Sequence, residues 1–105
     1  MRKICTDNYN INIVTGKGKT PVPYDVKTSL ISCLMHPSLK LGAREILLRN
    51  KIGNKIEESQ IFVLLEDAEY EKLKLAFEQL DIFGQNDIQL IERVFDAEKV
   101  DVKEA

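Results

Sequence analysis

The sequence predicts an α+β fold in a single domain spanning residues 1–105: an N-terminal β-hairpin packed on a small bundle of three to four helices, with room for one further short strand. Three observations predict it. Residues 9–13 alternate Tyr9, Ile11 and Ile13 with Asn10 and Asn12, the period of a half-buried strand. From residue 26 onward the apolar residues recur at helical spacing, with capping residues ahead of them. The chain has 105 residues, 44% hydrophobic, with only three prolines and five glycines, which suffices for one modest core but not for two.

The hairpin is expected over residues 9–24. Gly16, Lys17, Gly18 and Lys19 supply its turn, and residues 20–24 return. Pro21 and Pro23 lack N–H donors, and residues two apart present their backbone groups to the same edge. That edge must face solvent or a loop, leaving Val22 and Tyr24 to pair with the first strand. The prolines therefore mark a protected sheet edge.

The helical part is expected over residues 26–98. Asp25 caps a first helix carrying Val26, Leu30 and Leu34, with Ile31 and Cys33 alongside, until His36 and Pro37 stop it. Ser38 reads as the cap of a second helix reaching Ile52, and Gly53 as its end. On it Leu41, Leu48 and Ile52 share one face, while Arg44, Lys51 and, if the helix continues past Gly53, Lys55 share an adjacent one. Residues 60–65 favour a strand, because Ile61, Phe62 and Val63 prefer extended structure and Glu66-Asp67 reads as a helix start; the alternative is one longer helix through this run. A third helix then carries Tyr70, Leu73, Phe77 and Leu80 on one stripe. Asn86 and Gln89 form a capping box for a fourth, with Ile88, Ile91 and Phe95 inward. Residues 99–105 read as a charged tail. The expected core is Ile11, Ile13, Leu30, Leu34, Leu41, Leu48, Leu73, Phe77, Ile91 and Phe95.

Charge is divided along the chain. Residues 1–56 hold ten Lys or Arg against three acids, and residues 57–105 hold five bases against fourteen acids. The net of −2 thus conceals halves of +7 and −9. Such a molecule can neutralise itself internally, stack on copies of itself, or offer either end to a partner. The longest apolar run, 61–65, is far shorter than a membrane span, and Met1-Arg2-Lys3 leads into polar residues, so no membrane partner and a cytoplasmic location are expected. In that compartment Cys5 and Cys33 are expected as free thiols.

The chemistry-bearing motifs have structural explanations. Gly18-Lys19-Thr20 matches the end of a phosphate-binding loop, but the glycine required five residues earlier is Ile13, and Pro21 and Pro23 forbid the helix that must follow. Cys33 and His36 stand three residues apart on one helix, a spacing at which a base can activate a thiol. The apolar residues around Cys33 favour a packing role. One histidine and two distant cysteines complete no metal site, and the acids at residues 66–71 suit a helix N-terminus. The expectation is a protein without enzymatic activity, metal or cofactor.

The stretch 39–77, LKLGAREILLRNKIGNKIEESQIFVLLEDAEYEKLKLAF, resembles the C-terminal part of small bacteriophage-encoded proteins of about this size, in which a basic helix precedes an acid-rich apolar run and a final helical pair. The resemblance covers 40 to 60% of the chain and implies a phage or prophage accessory protein, located in a virion if phage-encoded, without carrying over any functional residue.

The expected function is a protein-binding or assembly module acting through complementary charge, as a homo-oligomer or as a subunit of a larger assembly. Candidate partner-binding residues are Arg44, Arg49, Lys51 and Lys55 on the basic helix, Lys17 and Lys19 at the hairpin tip, and Glu66, Glu69 and Asp87 on the acidic side. The alternative is nucleic-acid binding by the basic half, extended by Arg2 and Lys3. The acidic total and the absence of Trp count against it.

Overall fold

The computed structural model describes residues 1–16 and 18–100, the side chains of 13–15 excepted. Nine regular elements alternate along it: β1 (Arg2–Cys5), β2 (Tyr9–Thr15), β3 (Gly18–Tyr24), α1 (Val26–Leu34), α2 (Ala43–Glu58), β4 (Phe62–Leu65), α3 (Asp67–Gln79), α4 (Ile88–Phe95) and β5 (Glu98–Lys99). The fold is α+β, with four helices and two small antiparallel sheets. No helix among the described residues is long and apolar enough to cross a membrane.

The body is built around β1, the central strand of a β4-β1-β5 sheet. Ile4 lies opposite Val63, and Arg2 lies between Leu65 on one side and Lys99 on the other. Of the two readings of residues 60–65 the strand is the one found, over Phe62–Leu65, with Val63 and Leu65 buried at the alternate positions a pleat requires. Ile4, Leu30, Leu34, Ile52, Ile56, Leu65, Leu73, Leu90 and Val94 are all at most 2% exposed. At about 1.5–3 kcal/mol per buried side chain, they supply the main drive to fold. Tyr70 donates its hydroxyl to the Val94 carbonyl at 2.6 Å, and the Arg2 guanidinium lies over the same ring at 4.9 Å.

Asp25 caps α1 as expected, its carboxylate accepting from the Thr28 N–H at 3.0 Å, and this bond holds its pKa below the ordinary value. The second helix departs from expectation at both ends. Its N-cap is Gly42, after a separate 3-10 turn at Pro37–Leu39, and it runs through Gly53 to Glu58. Gly53 is buried beside Ile31, so it marks a site of close approach to α1 and not a stop.

Leu48 is 42% exposed instead of buried, and the inward position next to it belongs to Arg49. That guanidinium donates to the Leu34 carbonyl at 2.9 Å and to Glu45 at 3.0 Å. Leu34 is the last residue of α1, whose terminal carbonyls have no partner within their own helix, so Arg49 closes that end with a charge of the favourable sign. On α4 the inward stripe is Leu90 and Val94, leaving Ile88 and Phe95 exposed and Ile91 half-buried. The stripe is shifted because a 3-10 turn at Gln85–Asp87 precedes the helix, with Asp87 and not Asn86 accepting from the Gly84 N–H at 2.8 Å.

The hairpin of β2 and β3 projects from this body as an arm. It meets the rest of the molecule at its base, where the Tyr9 and Tyr24 rings stack at 4.7 Å. Tyr9 donates to the Asn86 carbonyl at 2.9 Å, Tyr24 donates to the Asp87 carboxylate, and the Arg93 guanidinium lies 5.0 Å from the Tyr9 ring. The connection from β1 is also fixed, since Asn8 Oδ1 accepts from the Val26 N–H at 3.0 Å and Arg93 donates to the Asp7 carbonyl. Ile11 and Leu41 are half-buried, and the Ile13 side chain, Lys17 and residues 101–105 lie outside the described residues. The radius of gyration is 14.8 Å and the extents are 52 × 36 × 21 Å. A compact domain of this length would have a radius of gyration of about 13 Å.

Candidate interaction surfaces

The charged residues singled out in the sequence divide into those used inside the molecule and those left on its surface. Arg49 is spent on the end of α1. Lys55 reaches Glu69 at 2.7 Å, and Glu69 also accepts from the Glu66 N–H at 3.0 Å at the start of α3. Glu45 accepts from Lys72 at 2.9 Å, and Lys72 together with Arg49 holds its carboxyl below the usual carboxylate range. Asp87 is engaged by Tyr24 and Gly84. Where α2 meets α3, Lys55 and Glu69 thus pair a base of the first half with an acid of the second, and Glu45 and Lys72 pair the minority charge of each half; Arg49, Lys55, Glu69 and Asp87 are all engaged within the molecule.

Arg44, Lys51, Lys19 and Glu66 remain exposed. Among the described residues no carboxylate lies within salt-bridge distance of Arg44 or Lys51. On α2 these two flank Leu47, which is 66% exposed and points away from the inward row of Arg49, Ile52 and Ile56. The outward face is therefore basic, apolar, basic, with Arg44 and Lys51 seven positions apart, about 10.5 Å along the helix.

The outward face of α3 repeats this layout with the charge reversed. Tyr70, Leu73, Ala76 and Phe77 point inward, and Glu71, Leu75 and Glu78 point outward. Leu75 is 45% exposed, and among the described residues neither glutamate has a basic partner. Glu71 and Glu78 are again seven positions apart. Two exposed leucines, each between a pair of like charges, were not singled out by sequence reasoning. The available signal was a leucine at a position whose helical neighbours three and four residues away are charged.

A third surface lies where the arm rises from the body. A groove of about 570 Å³ runs between β2 and the start of α4, lined by Asn10, Asn12, Gln85, Asn86 and Gln89 among others.

The features that suggested catalysis are occupied structurally. Cys33 is buried, and burial pushes its thiol up to about 11, so it holds little thiolate near neutral pH. His36 Nδ1 accepts from the Ser38 N–H at 3.1 Å. Gly18, Lys19 and Thr20 open β3, with Gly18 at φ 109, and no helix follows to cradle a phosphate. Among the described residues no cluster of three or more His, Cys, Asp or Glu could hold a metal ion. Comparison with protein-family models, curated proteins and solved structures returns no match.

Proposed function

We propose that this protein is a non-enzymatic assembly module that associates with copies of itself, or enters a larger phage-type assembly as an accessory subunit, through its two outward helix faces. One observation carries the reading. Arg44-Leu47-Lys51 on α2 and Glu71-Leu75-Glu78 on α3 have equal length and opposite charge, each with an exposed leucine at its centre. Opposed across an interface, the leucines bury against each other while the charges flank them, which gives both apolar area and register.

Because the two faces lie on different helices of one chain, the contact is heterologous. It closes into a ring or propagates, depending on the rotation between neighbours. Nucleic-acid binding would draw on Arg44 and Lys51, but Leu47 between them offers nothing to a phosphate backbone.

Sedimentation velocity across a salt and concentration series tests the proposal. Association that rises with concentration and weakens as salt shortens the Debye length is the expected result. A monomer under all conditions contradicts self-association. A shift seen only on adding DNA or RNA replaces the proposal with the nucleic-acid reading.

A further inference from the structure

We infer that the groove beside β2 binds an extended, uncharged polypeptide segment, which adds to the open edge of the arm as a further strand. The two edges of the arm differ in what they can accept. Pro21 faces Asn12 and Pro23 faces Asn10 across the hairpin. A pair containing proline cannot exchange two N–H···O bonds, so these are the non-hydrogen-bonded pairs, and Ile11–Val22 and Tyr9–Tyr24 are the bonded ones. The backbone groups of Pro21 and Pro23 consequently face outward from β3, and that edge offers no donor at either position.

The same parity turns the N–H and C=O groups of Asn10 and Asn12 outward from β2. Among the described residues neither makes a backbone hydrogen bond outside the hairpin. These groups meet the groove, since four consecutive residues, Tyr9 to Asn12, line it. A wall made by one face of a strand would show alternate residues only. Four residues give about 13 Å of edge, enough for a short strand to pair.

The lining identifies the occupant. Its polar groups are mainly carboxamides, each able to donate and accept, and among the described residues Lys19 and Glu92 are its only charges. A nucleic-acid strand would find one cation among the described lining residues for all its phosphates. A sugar would need a free aromatic face, whereas the Tyr9 ring already carries Tyr24 at 4.7 Å and Arg93 at 5.0 Å. An extended peptide uses what is present: main-chain pairing along the edge, amide contacts to Ser, Thr, Asn or Gln side chains, and Ile88, 51% exposed, for an apolar one.

The site is separate from the helix faces of α2 and α3, so the inference stands whether or not those faces drive assembly. A displayed library of random twelve-residue peptides, selected on the full chain, provides the test, with a panel of neutral oligosaccharides in parallel. The expected result is enrichment of uncharged, strand-forming peptides whose binding changes little with salt and shifts the backbone amide resonances of Asn10 and Asn12. Asn12→Pro removes one outward donor without touching a ladder bond, and should weaken binding about tenfold. Asn10→Pro should do the same, while Glu57→Gln, exposed on α2 and outside the groove, should not. The inference is overturned if no peptide binds with Kd below about 1 mM, if binding is indifferent to both proline variants, or if oligosaccharides bind and peptides do not.

Discussion

The body and the arm are stabilised by different physics. In the body, side chains such as Leu73 and Val94 are shut off completely from water, and even a charged residue, Arg49, is 4% exposed because its guanidinium finds Leu34 and Glu45. The arm holds its strands by their own ladder and meets the body through two tyrosines. The body is therefore fixed by burial, which is cooperative. The arm is fixed by a few polar contacts at one end, and the rest of its surface is left for other uses.

The largest expected effect lies in the body. Leu73→Ala should destabilise the protein by about 2–5 kcal/mol, measured by chemical denaturation. A loss no greater than that of a surface change would break the contrast. Arg49→Met should come next, at about 2–3 kcal/mol, because it leaves the Leu34 carbonyl without its charged donor.

That variant should also blunt the acid response of stability. Glu45 has a lowered folded pKa, so its contribution is present above the unfolded glutamate value and is lost as pH falls through the folded one. In Arg49→Met only Lys72 still holds that carboxylate, and the decline of stability below about pH 4 should be shallower than in the wild type. Equal acid sensitivity of the two proteins would remove the Arg49–Glu45 pair from the account.

At the arm's base, Tyr24→Phe removes the bond to Asp87 and should cost about 1 kcal/mol. Its more telling readout is hydrogen exchange, which should quicken in the hairpin amides while those of α3 stay protected. The smallest effect belongs to the arm's surface: Lys19→Ala should change stability by less than about 0.5 kcal/mol.

The same contrast explains what could be read from the sequence. The hairpin, α1 behind Asp25, β4 and the stripe of α3 were legible, because each is encoded by local period and punctuation. β1 was missed: four residues with one buried side chain, Ile4, carry no period, and the strand exists because β4 and β5 pair with it. Leu48 was assigned inward because periodicity ranks leucine above arginine. Only the fold reveals that Arg49 has a helix end to cap.

Phe95 was misplaced for a related reason, since Ile88, Leu90, Ile91, Val94 and Phe95 support two overlapping stripes and the entry of the chain into α4 selects between them. The charge division was visible from composition, but which charges cancel internally depends on the approach of α2 to α3. Lys55 and Glu69, candidates for opposite sides of an intermolecular contact, turn out to hold each other.

The central claim concerns the charges that do not cancel, and a charge-swap experiment tests it most directly. One variant carries Arg44→Glu with Lys51→Glu, the other Glu71→Lys with Glu78→Lys, and the sedimentation of each is compared with that of their equimolar mixture. Each variant alone opposes like charges across the contact and should remain monomeric, whereas the mixture restores opposite charges at every junction and should assemble as the wild type does. Variants that assemble alone, or a mixture that stays monomeric while the wild type associates, would contradict the assignment of the interface to these two helix faces.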